Sequence, residues 1–533
     1  MKHFILHRIL PVLIPVLILI SLRCMLSEYA ENSTDVFWHI HAADRSFSDM
    51  VAKKYPITLS VWRDHFADKE LLFHILLKGY TGIKHLLKSP LVPPFTGASL
   101  LLLLLFFSAF VFAAVKAGFS NKMIWLCSIG TALFSPLFTY RLLMIRPHVF
   151  SMALMMIACG ILFSGPGKWK TVIGIFGIGW LFAWSYSTPH LLIVTALGFG
   201  IAYFPKEKYR AFLPVFAAVP GIFCGLLIHP QSPNTFTLWR IQGLDALLTP
   251  TAGLGNGLVP IAQELHPPQT LWLIMAIPIT IALYFALMMW NRLREQKGWK
   301  GIPPECTACT ILALFWMLAA YMISLRPIEY AIPMLFLALG LLLPQIIQEK
   351  SFRYSKNPAA LQGIFAVYIA ANVIFTSCHT FHTLYKKEPT TPVKLAENLR
   401  TLAKPGDRVI NLDWSDFPPM VFAAPEFEYT WGLDPMFSFV PFPEESELLG
   451  KLSRPRIHNS WQIRDAFHAD YAILLRRQGF LAMNLIENSG WKVVYEGPDG
   501  WIFKLAEKQT SLHSPRNSFR ERGVNSRFAP ARF

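Results

Sequence analysis

Residues 9–25 read ILPVLIPVLILISLRCM, and residues 34–41, shortly after, read TDVFWHIH. The first stretch is an apolar run behind a basic start, Lys2 and Arg8, with a length that suits a membrane-crossing helix. The second places a carboxylate, Asp35, four residues from an imidazole, His39, so that on a helix the two share a face. Polar residues that stand out at the outer end of an apolar segment recur along the chain. The apolar segments decide the fold class: an α-helical polytopic membrane protein.

Composition agrees. Of 533 residues, 53% are hydrophobic and only 15% are charged, against roughly 25% charged in soluble domains. Mean hydropathy is +0.39. These values exclude a soluble enzyme, a disordered chain and a disulfide scaffold. The seven cysteines all lie in or beside apolar stretches, which argues against a disulfide framework. Cys306 and Cys309 form a C-x-x-C without a second ligand pair, which reads as helix packing rather than a metal or redox site. The net charge of +16 sits in membrane-flanking loops and one tail, so it points to lipid headgroups and topology, and no nucleic-acid module is visible.

About eleven transmembrane helices are expected, at 9–25, 99–115, 122–140, 147–164, 172–187, 189–204, 211–228, 271–290, 306–325, 328–347 and 362–378. With the amino terminus cytoplasmic, the inner segments hold sixteen Lys/Arg against four acids. The opposite face is balanced: eight against eight in loop 26–98, fourteen against seventeen in 379–507. The positive-inside rule then puts the amino terminus in and the carboxyl-terminal domain out. The first span lacks a cleavage site after it and reads as an uncleaved anchor.

Three units follow. Residues 1–378 form the transmembrane unit with outer loops 26–98 and 229–270; 379–507 holds a small extracytoplasmic α/β domain; 508–533 is a basic tail of disordered composition. Within loop 26–98, the apolar spacing of Leu71, Leu72, Ile75, Leu76 and Tyr80 predicts a helix on the membrane surface. In the outer domain a helix is expected at 393–402, strands at 408–412 and 471–475, a helix at 480–488, and a hairpin of 491–495 with 501–505.

No phosphate-binding G-x-x-x-x-G-K-[ST] and no H-E-x-x-H occurs. Candidate chemistry lies at outer membrane boundaries. Asp35 suits a general base toward an acceptor hydroxyl, or a divalent cation site shared with His39; a solvated juxtamembrane helix with Phe37 and Trp38 in an interfacial belt fits the same residues. His65, Asp68, Glu70 and His74 form a second cluster, in which Asp68 also suits a helix N-cap. Arg146 and His148, with Arg141 before them, suit a phosphate site or a snorkelling anchor. Arg326 repeats the type, with Glu329 close enough in sequence to pair with it. His229, Arg240 and Asp245 are weaker candidates.

These pieces together resemble a known family. Asp35-Val36-Phe37-Trp38-His39 after the first span is similar to the Asp-x-Trp-Trp-His of polytopic GT-C-type glycosyltransferases of bacteria, in the broad group with protein O-mannosyltransferases and lipid A aminoarabinose transferases. The stretch from Phe66 through Asp68, Glu70 and His74 resembles their next block, and Arg146-Pro147-His148-Val149-Phe150-Ser151 resembles their Arg-Pro-Gln-Leu-Phe-Ser element. The ending, from Lys404-Pro405-Gly406-Asp407 through Asp470-Tyr471-Ala472 to Gly490-Trp491, resembles their outer domain. The resemblance covers residues 5–507. It implies transfer of a sugar from a polyprenyl-phosphate donor to a lipid, glycan or protein acceptor, at the outer face of a bacterial inner membrane. It implies Asp35 as base, Glu70 as the second acid, and Arg146 with Arg326 at the donor phosphate. His39, Asp68, His148 and Arg240 would support them, loop 229–270 would close over the donor, and a divalent cation, if used, would sit at Asp35 and His39. The rival readings are a transporter or assembly partner for lipid-linked glycans, and the same fold transferring another group from a lipid-phosphate donor.

Overall fold

The computed structural model describes residues 5–26, 30–84, 95–245, 269–347, 358–385, 387–388, 390–452, 460–487 and 490–507. Most of the expected closing loop, 246–268, and the basic tail 508–533 lie outside the described residues.

Each of the eleven apolar segments is helical. Helix α1 (Leu10–Arg23) is followed by the short outer helix α2 (Asp35–Asp44) and by α3 (Leu71–Lys84). Then come α4 (Thr96–Lys116), α5 (Asn121–Leu133), α6 (Pro136–Leu142), α7 (Pro147–Leu162), α8 (Trp169–Ala183), α9 (Leu191–Glu207) and α10 (Leu213–Ile228). The membrane unit ends with α11 (Thr270–Gly301), α12 (Pro304–Met322), α13 (Ile328–Ile347) and α14 (Pro358–Tyr385). Among the described residues, five helical stretches are long and apolar enough to cross a membrane, or six with the bent pair α5–α6. One of the five, Leu191–Ile228, folds back on itself: the Phe204 and Phe212 rings lie 5.9 Å apart, and Lys208 interrupts the helix at φ 55°. The protein is an integral, multi-pass membrane protein.

The span expected at 122–140 is broken. It is two helices bent by 89° at Phe134-Ser135. Pro136 lacks an N–H and forces Ser135 into extended backbone, φ −141°, ψ 122°. The bend brings Tyr140 and Arg141 into the wall of the site. Helices α8 and α10 are packed through small residues: a Cβ on Gly221 would lie 2.3 Å from the Phe176 carbonyl oxygen, so only glycine permits this approach.

The outer unit is a six-stranded sheet in the order β1-β3-β2-β4-β6-β5. Strands β2 (Arg408–Asn411), β3 (Glu428–Trp431) and β4 (Tyr471–Leu475) are parallel, and β5 (Trp491–Gly497) with β6 (Gly500–Leu505) adds an antiparallel hairpin. The sequence reading places β2, β4 and the hairpin, but neither β3 nor the edge strand. That edge is β1 (Ile57–Leu59), from the first outer loop, with Ile57 opposite Tyr429. A second core therefore joins Trp38, Trp62 and Phe66 of the first loop to Leu395, Val409 and Phe417 of the outer domain. The interfacial-belt reading of Phe37 and Trp38 gives way: both are buried, and Trp38 lies 4.8 Å from Trp62 between ring centroids. Helix α3 buries Phe73 and Leu77 in the protein's own core, while Ile75, on the face expected at the membrane surface, is exposed and Leu72, Leu76 and Tyr80 are half-buried.

Candidate active site

A strap, residues 30–34, carries the chain from α1 to Asp35. It is fixed at three points. Buried Arg23 donates to both Glu31 oxygens at 2.7 and 2.8 Å. The Tyr140 hydroxyl donates to the Asn32 carbonyl at 2.7 Å. The Glu31 amide donates to the Thr390 hydroxyl at 3.2 Å, tying the strap to the segment after α14. Asp35 then opens α2, and its Oδ2 lies 2.5 Å from Arg146 Nη2. Arg146 precedes Pro147 in extended backbone and so sits at the cap of α7, with its side chain free to turn toward α2.

The second cluster packs behind this pair. His39 Nδ1 lies 2.9 Å from His74 Nε2 and 3.7 Å from Glu70 Oε2, and His74 Nδ1 lies 2.7 Å from Asp68 Oδ2. The carboxylate assigns the His74 proton to Nδ1, so Nε2 accepts from His39 Nδ1–H. Asp68 also accepts from the Glu70 amide at 3.1 Å, immediately before α3, as the N-cap reading expects. Burial, then the nearby His74 and Arg146, hold His39 well below the ordinary imidazole range, so its ring is neutral. Burial pushes the Glu70 carboxyl up, against the pull of Lys69 at 3.8 Å. Lys69 in turn donates to Gln242, whose amide donates to Asp434 of the outer domain at 3.0 Å.

The third cluster corrects an expected pairing. Glu329, expected to pair with Arg326, is fully buried and pairs with Arg141, whose Nε donates to Oε1 at 2.5 Å. His148 Nε2 donates to the Arg141 carbonyl at 2.9 Å, so it positions the backbone at the α6–α7 corner.

All of this surrounds one cavity of about 1760 Å³. Asp35, His39, Glu70, Arg146, His148 and Arg326 line it together. Its wall includes apolar residues of and just after the membrane helices α11 and α12, Leu271, Trp272, Phe315 and Ile323, of which Leu271, Phe315 and Ile323 are also exposed on the membrane unit's surface. It also includes Trp414, Asp434, Arg476, Arg477 and Asp499 of the carboxyl-terminal domain. Asp68 is not in the wall; its carboxylate accepts from His74 and from the amide of the wall residue Glu70. Arg240 is not in the wall: it is 74% exposed and pairs with Asp245 at 3.6 Å, which removes it from the supporting set. The cation site expected at Asp35 and His39 also changes, since Asp35 is paired with Arg146 while His39 groups with Glu70 and His74, whose ligand atoms lie within 4.8 Å of one another.

Sequence reasoning missed Asn32, Lys69 and Tyr140 as wall residues. Asn32 is buried, lines the cavity, and has no hydrogen-bond partner at either side-chain amide atom, the pattern of a group that meets a ligand or water. Its only sequence signal is its place three residues before Asp35. His74 was legible one helical turn after Glu70.

No protein-family model matches the sequence, and no curated protein does either. Solved structures do match the fold. The oligosaccharyltransferase AglB of Archaeoglobus fulgidus, in complex with an inhibitory peptide and a dolichol-phosphate, superposes with a TM-score of 0.56 at 11% identity, over 96% of this chain and 75% of that one. ArnT from Cupriavidus metallidurans, bound to undecaprenyl phosphate, gives 0.54 at 11% identity, over 95% of this chain and 99% of that one. The arabinofuranosyltransferase AftD from mycobacteria gives 0.50 at 12% identity, over 92% of this chain and 41% of that one. The chain therefore has the fold of the GT-C-type membrane glycosyltransferases, with a small α/β domain after its last membrane helix.

Proposed function

We propose that the protein is a glycosyltransferase that moves a sugar from a polyprenyl-phosphate donor to a lipid, glycan or protein acceptor at the outer face of the membrane. The observation that carries this reading is the convergence of Asp35, Glu70, Arg146 and Arg326 on one cavity whose wall combines apolar side chains of membrane helices with polar residues of the outer domain. Neighbours of the same fold hold dolichol-phosphate and undecaprenyl phosphate, which suits the apolar part of the wall to a polyprenyl chain. The reactive carbon of such a donor sits at headgroup level, the level at which the ends of the apolar segments put these side chains.

In the proposed step the Asp35 carboxylate takes the proton of the acceptor hydroxyl. The hydroxyl oxygen attacks the anomeric carbon from the face opposite the phosphate. The bond from that carbon to the phosphate oxygen breaks, and polyprenyl phosphate leaves with the electron pair. Arg146 and Arg326 stabilise the charge that develops on it. Base on one side and cations on the other give inversion. Glu70 is the second acid of the centre, and the outer domain caps the acceptor side. The orientation follows the loop charges: amino terminus cytoplasmic, residues 379–507 outside, in a bacterial inner membrane.

The test is turnover of a radiolabelled polyprenyl-phosphate sugar by purified protein, followed as release of polyprenyl phosphate. Wild type should release it in the presence of an acceptor, and Asp35→Asn should not. Absence of release across a panel of donor sugars and acceptors, with donor binding retained, would move the protein to the transporter or assembly reading.

A further inference from the structure

We propose that His39, Glu70 and His74 form a site for one divalent transition-metal ion. The three side chains are buried, and their ligand atoms lie within 4.8 Å of one another. His39 Nδ1 is 2.9 Å from His74 Nε2 and 3.7 Å from Glu70 Oε2. Nitrogen and oxygen ligands about 2.0–2.2 Å from one ion stand roughly 3.3–3.5 Å apart in a tetrahedron, so the two measured separations bracket what an ion requires.

Local structure explains the convergence. Glu70 and His74 are one turn apart at the start of α3, and α2 lays His39 across them. Asp68 orients the set: its carboxylate accepts a hydrogen bond from His74 Nδ1–H at 2.7 Å, which leaves the Nε2 lone pair facing His39. A carboxylate behind a ligating imidazole is the usual arrangement around protein-bound metals. Two imidazoles and one carboxylate suit zinc, cobalt, iron or nickel, whereas magnesium and calcium take oxygen ligands. His39 and Glu70 also line the cavity, so the ion's remaining position opens toward it and takes a phosphate or hydroxyl oxygen there.

This site goes beyond the transferase reading and is measurable without any transfer. Full-length protein in detergent is stripped with chelator, dialysed against Zn²⁺ or Co²⁺, and assayed by mass spectrometry of the metal and by Co²⁺ ligand-field absorption. The expected result is one ion per chain, undisturbed by excess Mg²⁺. His74→Ala and the size-conserving Glu70→Gln should each weaken binding by about tenfold or more, and Asp68→Asn by about 10–100-fold, with an altered Co²⁺ spectrum. Failure to retain Zn²⁺ or Co²⁺, or retention equal in wild type, His74→Ala and Glu70→Gln, overturns the site and leaves the His39–His74 contact as an N–H···N hydrogen bond. A wild type that holds the ion but transfers no sugar would remove the transferase reading and leave the metal site standing.

Discussion

Asp35 Oδ2 and Arg146 Nη2 lie 2.5 Å apart, each side chain less than one-fifth exposed. The two groups assigned to opposite ends of the proposed reaction, base and phosphate ligand, therefore hold each other. A donor phosphate competes for the Arg146 guanidinium, and the Asp35 carboxylate it displaces becomes available to the acceptor hydroxyl. On the proposed mechanism, phosphate binding and base release would be one exchange of partners.

Asp35→Asn keeps the size of the side chain and removes the base. Transfer should fall by roughly 10²–10⁴-fold, with membrane insertion and donor binding intact. Near wild-type turnover in the donor-release assay would end the base assignment.

Arg146→Lys tests the phosphate contact. Lysine keeps the charge and loses the planar fork, so transfer should drop well below wild type, and Arg146→Ala should drop it further. A silent Arg146→Lys would instead mark a headgroup anchor. If Arg146 and Arg326 hold one phosphate, their double loss should differ from the sum of the single losses; additive losses place one of them outside the site.

Glu329 is fully buried against Arg141. Arg141→Met leaves that charge without its cation and should cost about 3–5 kcal/mol, seen as poor accumulation and a lowered melting midpoint. Adding Glu329→Leu should recover most of the loss. A double variant as unstable as the single one would show that packing at the α6–α7 corner, rather than the pair, sets the cost.

Asp416 in the outer domain is buried, and burial raises its carboxyl to about 7 against the pull of Arg477 at 2.6 Å. Its folded value lies above its ordinary 3.8, so the stability it contributes is complete below that value and is lost as pH rises through about 7. The slope is at most about 1.4 kcal/mol per pH unit. Melting midpoints between roughly pH 4 and pH 8 should therefore fall more steeply with rising pH in wild type than in Asp416→Asn. Parallel profiles would contradict the raised value.

Reporter fusions after residue 390 test the orientation. An extracytoplasmic reporter should be active there and a cytoplasmic one silent, because the Lys/Arg excess lies in the opposite loops. The reverse result would move every proposed site residue to the wrong face.

Helix in each of the eleven apolar segments was legible because an apolar run is a local property, from Leu10–Arg23 to Pro358–Tyr385, although among the described residues only five helical stretches, or six with the bent pair, are long and apolar enough to cross a membrane. Strands β2 and β4 were legible for the same reason, being short apolar runs after turn residues. β1 and β3 were not. Ile57–Leu59 is three residues long and is a strand only because Tyr429 and Trp431 offer it a ladder some 370 positions away in the chain.

The sequence by itself determined the membrane class and the membership of Asp35, Glu70, Arg146 and Arg326 in the candidate set. Only the tertiary structure decided how these groups are partnered. Arg141 took Glu329 from its sequence neighbour Arg326, Arg146 took Asp35 from His39, and His39 was left to Glu70 and His74. Charges withdrawn from water must find partners wherever packing brings them. Which carboxylate meets which cation is thus fixed by how helices from distant parts of the chain cross, and spacing along the sequence carries no record of that.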